Sequence, residues 1–438
     1  MSVRPWIDRL STSERDFFPR FGRVVRANAD LVESLGPPVS LGATCAIETD
    51  EGLLPAEVIG LRGGHLLLAP LAEVRELRPL ACVRPEAFDA APEASSLLGR
   101  VVDGLGRLLD SGPTLPPNTR PTAPREGLNE RREVSEPIET GIRVVDGLLT
   151  CGRGQRLGIF AGAGVGKSSF LSMLLRSCRA DAVVLALIGE RSREVRRFLD
   201  QELDEDVRPR TIVVAATGAE PAMVRVRAAF LAADLADELR REGRHVLFIT
   251  DSLTRLAMAQ REVGLAAGEA PTSRGYPPSV FSMLPRLVEK AGASTTGSVT
   301  AFHAVLVEGD DLADPVADAL RGLLDGHLVL SRELAEAGRF PALDVLSSLS
   351  RLMPDLVSAE QLGQARELRR LLGVHREVED LVRVGGDPPR ADPDVDRALE
   401  LLPRFVEFAR QGLGETSSAD DARSGLSQLI PSPEGEIP

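Results

Sequence analysis

A chain of 438 residues is long enough for two or three domains with a sizeable core, and 43% hydrophobic with 27% charged residues is the composition of an ordinary globular protein. The formal net charge of −13 argues against a nucleic-acid coat, which needs a basic face, while leaving room for a local basic channel. The first residues carry no apolar signal segment and no later run of about 18 apolar residues follows, so the protein is expected in the cytoplasm, with no membrane span.

In chain order, residues 4–21 hold Trp6, Ile7, Leu10, Phe17, Phe18 and Phe21 among charged neighbours, which predicts a short amphipathic helix. Its apolar face folds back on its own domain or docks on a partner or membrane surface. From Gly22 to about Arg84, short β-type runs (Arg23-Val-Val, Cys45-Ala-Ile, Ala56-Glu-Val-Ile, His65-Leu-Leu-Leu) are divided by Gly and Pro turns, the pattern of a small barrel. Residues Gly112 to Pro124 are proline-rich and read as an extended connection. Cys45, Cys82, Cys151 and Cys178 fall in no CxxC or metal-ligand spacing. Neither a disulfide nor a zinc site is expected.

The central region alternates apolar runs with helical stretches: Leu157–Phe160, Ala182–Ile188, Thr211–Ala216, His245–Thr250, Ser298–Val307 and His327–Leu330. This predicts an α/β core with a parallel sheet covered on both faces, and ligands in such sheets sit at the carboxyl ends of the strands. The first run breaks into Ala161-Gly-Ala-Gly-Val-Gly-Lys-Ser-Ser169, a strand, a glycine-rich turn and a helix start. Gly162, Gly164 and Gly166 let the backbone approach an anion, so that Gly162, Ala163, Gly164, Val165, Gly166, Lys167, Ser168 and Ser169 form a phosphate-binding loop for ATP. Lys167 reaches the β- and γ-phosphates, and the Ser168 hydroxyl is a Mg²⁺ ligand. The strict G-x-x-x-x-G-K-[ST] pattern is broken by Ala161, which only starts the turn. The chain has just two lysines, Lys167 and Lys290, among 52 Lys and Arg, so an ammonium retained here marks a site that a planar guanidinium does not serve.

Two further strand ends carry chemistry. The Ala182 run leads into Glu190-Arg-Ser-Arg-Glu194, where Glu190 orients the attacking water and Arg191 neutralises charge building up on the phosphate. The His245 run ends on Asp251, a second member of the Mg²⁺ shell and at the same time a helix cap.

With those residues in place, a resemblance becomes specific. Glu190 to Glu194, Thr250-Asp-Ser-Leu-Thr-Arg-Leu-Ala-Met-Ala-Gln-Arg-Glu262, Gly275-Tyr-Pro-Pro-Ser-Val-Phe281, Leu306-Val-Glu-Gly-Asp-Asp311 and Leu324-Asp-Gly-His-Leu-Val-Leu-Ser-Arg332 resemble the type III secretion and flagellar export ATPases. These are similar to the catalytic subunit of rotary ATP synthases. The resemblance runs from about Gly22 to Ser418. After the N-terminal helix over 1–21, it implies a three-part fold: a β-barrel over 22–92, a RecA-like P-loop core over 93–352 and a helical C-terminal domain over 353–438. It also implies a homohexamer in which Phe340 packs on adenine and Arg351 reaches the neighbouring subunit's γ-phosphate. The implied partners are a stator-like regulator at the N-terminal helix, a central stalk in the pore, and export substrates with their chaperones at the C-terminal domain. The place implied is peripheral to the inner-membrane export gate, with no nucleic acid bound.

Two alternatives stand beside that reading. One is a rotary synthase catalytic subunit. The other is a hexameric nucleic-acid translocase, disfavoured because Gly22 to Arg84 contains no Trp, no Tyr and no basic cluster. The chain departs from the family wording at Thr217-Gly-Ala219 and at Gly385-Gly-Asp387, neither of which is expected to touch the chemistry. The last stretch, Gly412 to Pro438, is rich in Ser, Gly, Pro and acids and is expected to fray.

Overall fold

The computed structural model describes residues 21–87, 91–116, 130–383 and 392–431. The predicted N-terminal helix, the later part of the proline-rich connection and Gly385-Gly-Asp387 lie outside them. The chain divides into two compact units, residues 1–89 with 265–269, and residues 90–264 with 270–438.

In the first unit, β1 (Gly22–Ala27), β2 (Val32–Leu35), β3 (Thr44–Thr49), β4 (Gly52–Arg62), β5 (His65–Pro70) and β6 (Cys82–Pro85) close into a barrel in the order β1-β2-β5-β4-β3-β6. Alternation along β4 turns Leu54, Ala56 and Val58 inward, where they meet Val24, Val32, Ile47, Leu68 and Val83. Burying each large aliphatic side chain in this way is worth about 1.5–3 kcal/mol, and closure leaves no free strand edge.

The second unit is built on a ten-stranded sheet. Its main strands are β7 (Val101–Val102), β8 (Arg156–Ala161), β9 (Ala182–Ile188), β10 (Thr211–Ala216), β11 (His245–Asp251), β12 (Ser298–Leu306), β13 (Gly326–Leu330) and β14 (Leu343–Ser350). They run in the order β14-β13-β8-β12-β11-β9-β10-β7, all neighbours parallel except β13 and β14. Short strands Gly292–Ser294 and Arg131–Arg132 extend the sheet beside β12. Every residue of β9, β10 and β11 is buried, as expected of strands covered on both faces.

The helices that position the site are α1 (Arg143–Leu148), α2 (Lys167–Ser177), α3 (Ser192–Gln201), α4 (Ala222–Arg241) and α5 (Leu253–Ala266). Three more, α6 (Ala359–Arg383), α7 (Pro393–Ala409) and α8 (Ala419–Leu429), make the C-terminal part. Among the described residues no helix is long and apolar enough to cross a membrane.

Two expectations change. His327–Leu330 is not the last strand: β14 follows it, antiparallel, with Leu343 beside Leu330 and Ser350 beside Gly326. Part of the stretch expected to fray is helical instead, because α8 forms within it. Ser418 and Asp421 make a reciprocal capping box, and Ala422, Leu426 and Leu429 bury one face. Gly425 allows the close approach, since a Cβ there would stand 2.7 Å from the Phe408 ring.

Candidate active site

The phosphate loop lies where β8 ends. Gly164 and Gly166 take φ of 78° and 104°, and Gly166 is the left-handed residue that opens α2. Gly162 serves differently from expectation. It does not have a positive φ; its missing side chain makes room for Asp310 and Arg332, both of which a Cβ would strike. That pair is joined by Arg332 Nε donating to Asp310 Oδ2 at 2.9 Å, and Arg332 Nη2 also donates to the Ala163 carbonyl at 3.2 Å. Phe170, Leu171, Leu174 and Leu175 are buried along α2 and fix the helix, whose first turn presents Lys167, Ser168 and Ser169.

Sheet register brings the remaining chemistry together. Leu187 of β9 lies beside Asp251 of β11, so the chain leaving β9 delivers Glu190 next to Asp251. Lys167, from beyond β12, donates to Asp251 Oδ1 and stands 3.6 Å from Glu190 Oε1. The three side chains are only 11%, 8% and 7% exposed for Lys167, Glu190 and Asp251. Arg255 on α5 was not singled out from sequence; its Nε lies 2.9 Å from Glu190 Oε1, an ion pair without hydrogen-bond alignment. Its place one turn after Asp251, on the face toward β9, is the signal that would have found it.

Burial raises the Glu190 carboxyl to about 7. The Asp251 carboxylate and a hydrogen bond with Glu194 push the same way, while the Lys167 ammonium and Arg255 oppose them. A base must be ionised, and its ionised fraction grows as pH rises through about 7. If Glu190 is that base, kcat/KM for MgATP, which reports the free enzyme, is therefore expected to climb between about pH 6 and pH 8, with Glu190→Gln removing that limb. A profile flat over the same range would contradict the assignment.

The donor set fits a divalent cation. Two carboxylates face one ammonium, leaving an excess of negative charge at the first residue of α2, and the next residue, Ser168, is exposed. No cluster of three or more His, Cys, Asp or Glu able to hold a metal occurs among the described residues. Mg²⁺ suits such a place because it binds through few protein oxygens and keeps waters and substrate phosphates. A separate cleft of about 570 Å³ opens beside Phe160–Gly162 and is lined by Asp310, Glu333, Glu336 and Asp344 as well as Arg332. That acidic wall would repel a triphosphate, which favours the Lys167 side.

The other predicted residues spread out. Phe340 faces the loop: its ring lies 3.7 Å from where a Cβ on Gly166 would stand, and it is 46% exposed. Arg191 caps α3, is 75% exposed, and pairs with Glu194 at 3.7 Å. Arg351 is not brought to this loop. It follows β14 at the opposite end of the sheet, exposed, its Nη2 donating to the Arg321 carbonyl at 2.9 Å. Thr217-Gly-Ala219 lies at the sheet rim, where the Gly218 N–H donates to the Glu190 backbone carbonyl at 3.1 Å.

Residues 141–350 match the ATP synthase alpha/beta family, nucleotide-binding domain, and residues 357–428 match the T3SS EscN ATPase C-terminal domain. Fold, phosphate loop and family match together define a P-loop ATPase with a RecA-like core. The chain is 41% identical to the flagellum-specific ATP synthase of Bacillus subtilis, over 98% of this chain and 99% of that protein. It is 44% identical to the SPI-2 type 3 secretion system ATPase of Salmonella typhimurium, over 96% of this chain and 98% of that protein. The assembled ATPase EscN of the enteropathogenic E. coli type III secretion system superposes with a TM-score of 0.87 at 38% identity, covering 93% of this chain and 100% of that one. The same ATPase has been solved in complex with its central stalk EscO, at a TM-score of 0.83, 37% identity and the same coverage. The chain belongs to the family of flagellar and type III secretion ATPases, and neither alternative is favoured.

Proposed function

We propose that this ATPase hydrolyses MgATP at the subunit interfaces of a homohexameric ring and that the hydrolysis drives protein export through a type III secretion apparatus. The observation that carries the reading is the buried Lys167, Glu190, Asp251 cluster at the carboxyl rim of the sheet, directly beside the phosphate loop. Gly162 to Ser169 cradle the triphosphate, and Lys167 turns from its carboxylates toward the β- and γ-phosphates. Ser168 and Asp251 hold Mg²⁺, which supplies charge neutralisation at the phosphates. Glu190 orients the water that attacks the γ-phosphate, Arg255 keeps the Glu190 carboxylate in place, and Arg191 lies at the rim where charge develops. Phe340 stacks on adenine.

Arg351 acts on the neighbouring subunit's nucleotide. Ser350 pairs with Gly326, and the strand it borders is offset by five residues from Gly162, roughly 17 Å at about 3.3 Å per residue. No side chain spans that within one subunit. The ring would work in the cytoplasm at the inner-membrane export gate, with a stator-like regulator on the N-terminal segment and a central stalk in its pore. Export substrates and chaperones would dock on the α6–α8 region.

Lys167→Ala tests the reading. It removes the one ammonium at the phosphates, so nucleotide affinity and turnover are expected to be lost while the thermal unfolding transition stays. In cells, the same substitution is expected to cut export of secreted substrates sharply at unchanged ATPase abundance. Hydrolysis at a normal rate would overturn the phosphate-loop assignment, and normal export by a hydrolysis-dead variant would overturn the export role.

A further inference from the structure

Gln411 follows α7, in the turn that leads to α8, and is only 3% exposed. Its side chain is fully engaged. Oε1 accepts from the Arg143 N–H at 2.8 Å, while Nε2 donates to the Gly141 carbonyl at 2.7 Å and the Glu415 carbonyl at 2.8 Å. Its own N–H donates to the Phe340 carbonyl at 3.0 Å. The Arg143 side chain repeats the clamp, donating to the carbonyls of Phe408 at 3.1 Å and Arg410 at 3.3 Å and pairing with the Glu415 carboxylate. The buried side-chain amide thus ties the entry of α1 to the turn after α7, and the backbone N–H of the same residue joins the loop carrying Phe340 to them. Breaking such a satisfied network leaves buried polar groups without partners, so its geometry is held firmly.

The Phe340 loop is otherwise anchored at its ends, by Arg339 N–H to the Leu334 carbonyl and Ser331 N–H to the Ala342 carbonyl. Between those anchors the peptide of Phe340 is held from the C-terminal side. Because carbonyl and ring belong to the same residue, a shift of that peptide displaces the ring that faces Gly166. Lys167, Ser168, Glu190 and Asp251 take no part in these contacts.

We propose that Gln411 is a positioning residue for the nucleotide base. Its side-chain amide fixes the turn whose backbone N–H pins the Phe340 carbonyl, and so sets the ring's height above the phosphate loop and joins the C-terminal helices to the base side of the site. The proposal rests on the reading of Phe340 as the aromatic that stacks on adenine. Loss of the clamp weakens recognition of the base and leaves recognition of the phosphates and the chemical step as they are.

The test compares KM for ATP with the inhibition constant of tripolyphosphate, a phosphate chain with no base, both measured with Mg²⁺ on the assembled ATPase. Gln411→Ala is expected to raise KM about five- to tenfold, the scale of a lost aromatic contact or buried hydrogen bond, with kcat within about twofold and tripolyphosphate inhibition unchanged. Phe340→Ala is expected to do the same. The double variant should be no worse than Phe340→Ala, since both changes remove one interaction. Gln411→Asn, which keeps the amide but draws it back by one methylene, should shift KM the same way by a smaller factor, and it serves if the alanine variant does not assemble. An unchanged KM in both Gln411 variants, a parallel rise for ATP and tripolyphosphate, or additive effects in the double variant would overturn the positioning role alone. An unchanged KM in Phe340→Ala would overturn the base-stacking reading, and this proposal with it.

Discussion

Arg351→Ala is expected to bind MgATP almost normally and to hydrolyse it about 10³–10⁵-fold more slowly, the range in which an arginine supplied across an interface stabilises phosphoryl transfer. The expectation comes from sheet geometry as much as from family resemblance. β14 runs antiparallel to β13, so it begins beside the phosphate-loop end of the sheet and carries Arg351 to the other end. There the side chain is exposed and donates to the Arg321 carbonyl. Steady-state turnover and nucleotide binding on the same preparation check this. A variant with more than about a tenth of normal turnover would make the residue structural.

Glu190→Gln should separate binding from chemistry at a second point. The amide keeps the size of the side chain and loses the base, so MgATP still binds while turnover falls at least about a hundredfold. The change also removes a carboxylate from beside Lys167 and Asp251 and leaves Arg255 without its partner at 2.9 Å. Affinity is therefore expected to hold or tighten, because one negative charge leaves the neighbourhood of the triphosphate. Nearly normal turnover would move the base elsewhere, with Glu194, its neighbour in the carboxyl network, the next candidate.

The residues of the phosphate loop, Glu190 and Asp251 were legible because each stands at the end of an unbroken apolar run, where a parallel sheet collects its ligands. The barrel was legible from alternation bounded by turns. What escaped notice did so for physical reasons. Leu-Asp-Val-Leu-Ser-Ser-Leu-Ser over β14 mixes polar residues into an edge strand that is half-buried at alternate positions, so it lacks the apolar run of the buried strands. In α8 the apolar positions Ala422, Leu426 and Leu429 are dispersed among Ser and Asp, and the capping residues themselves supplied the disorder-like composition. Gly162, Gly218 and Gln411 act through contacts with segments distant in sequence, which spacing does not reveal. Arg255 lay inside a motif already noticed, but its pairing with Glu190 depends on how β9 and β11 align.

The central claim, an active site shared between neighbouring subunits, is tested most directly by mixing two inactive chains. Arg351→Ala and Glu190→Gln subunits are co-assembled, with mixed rings verified by native mass spectrometry, and ATP hydrolysis is measured against each variant alone. Mixed rings contain interfaces where one subunit keeps Glu190 and its neighbour keeps Arg351, so activity well above either parent is predicted. No recovery in demonstrably mixed rings would contradict the account and make Arg351 a structural residue.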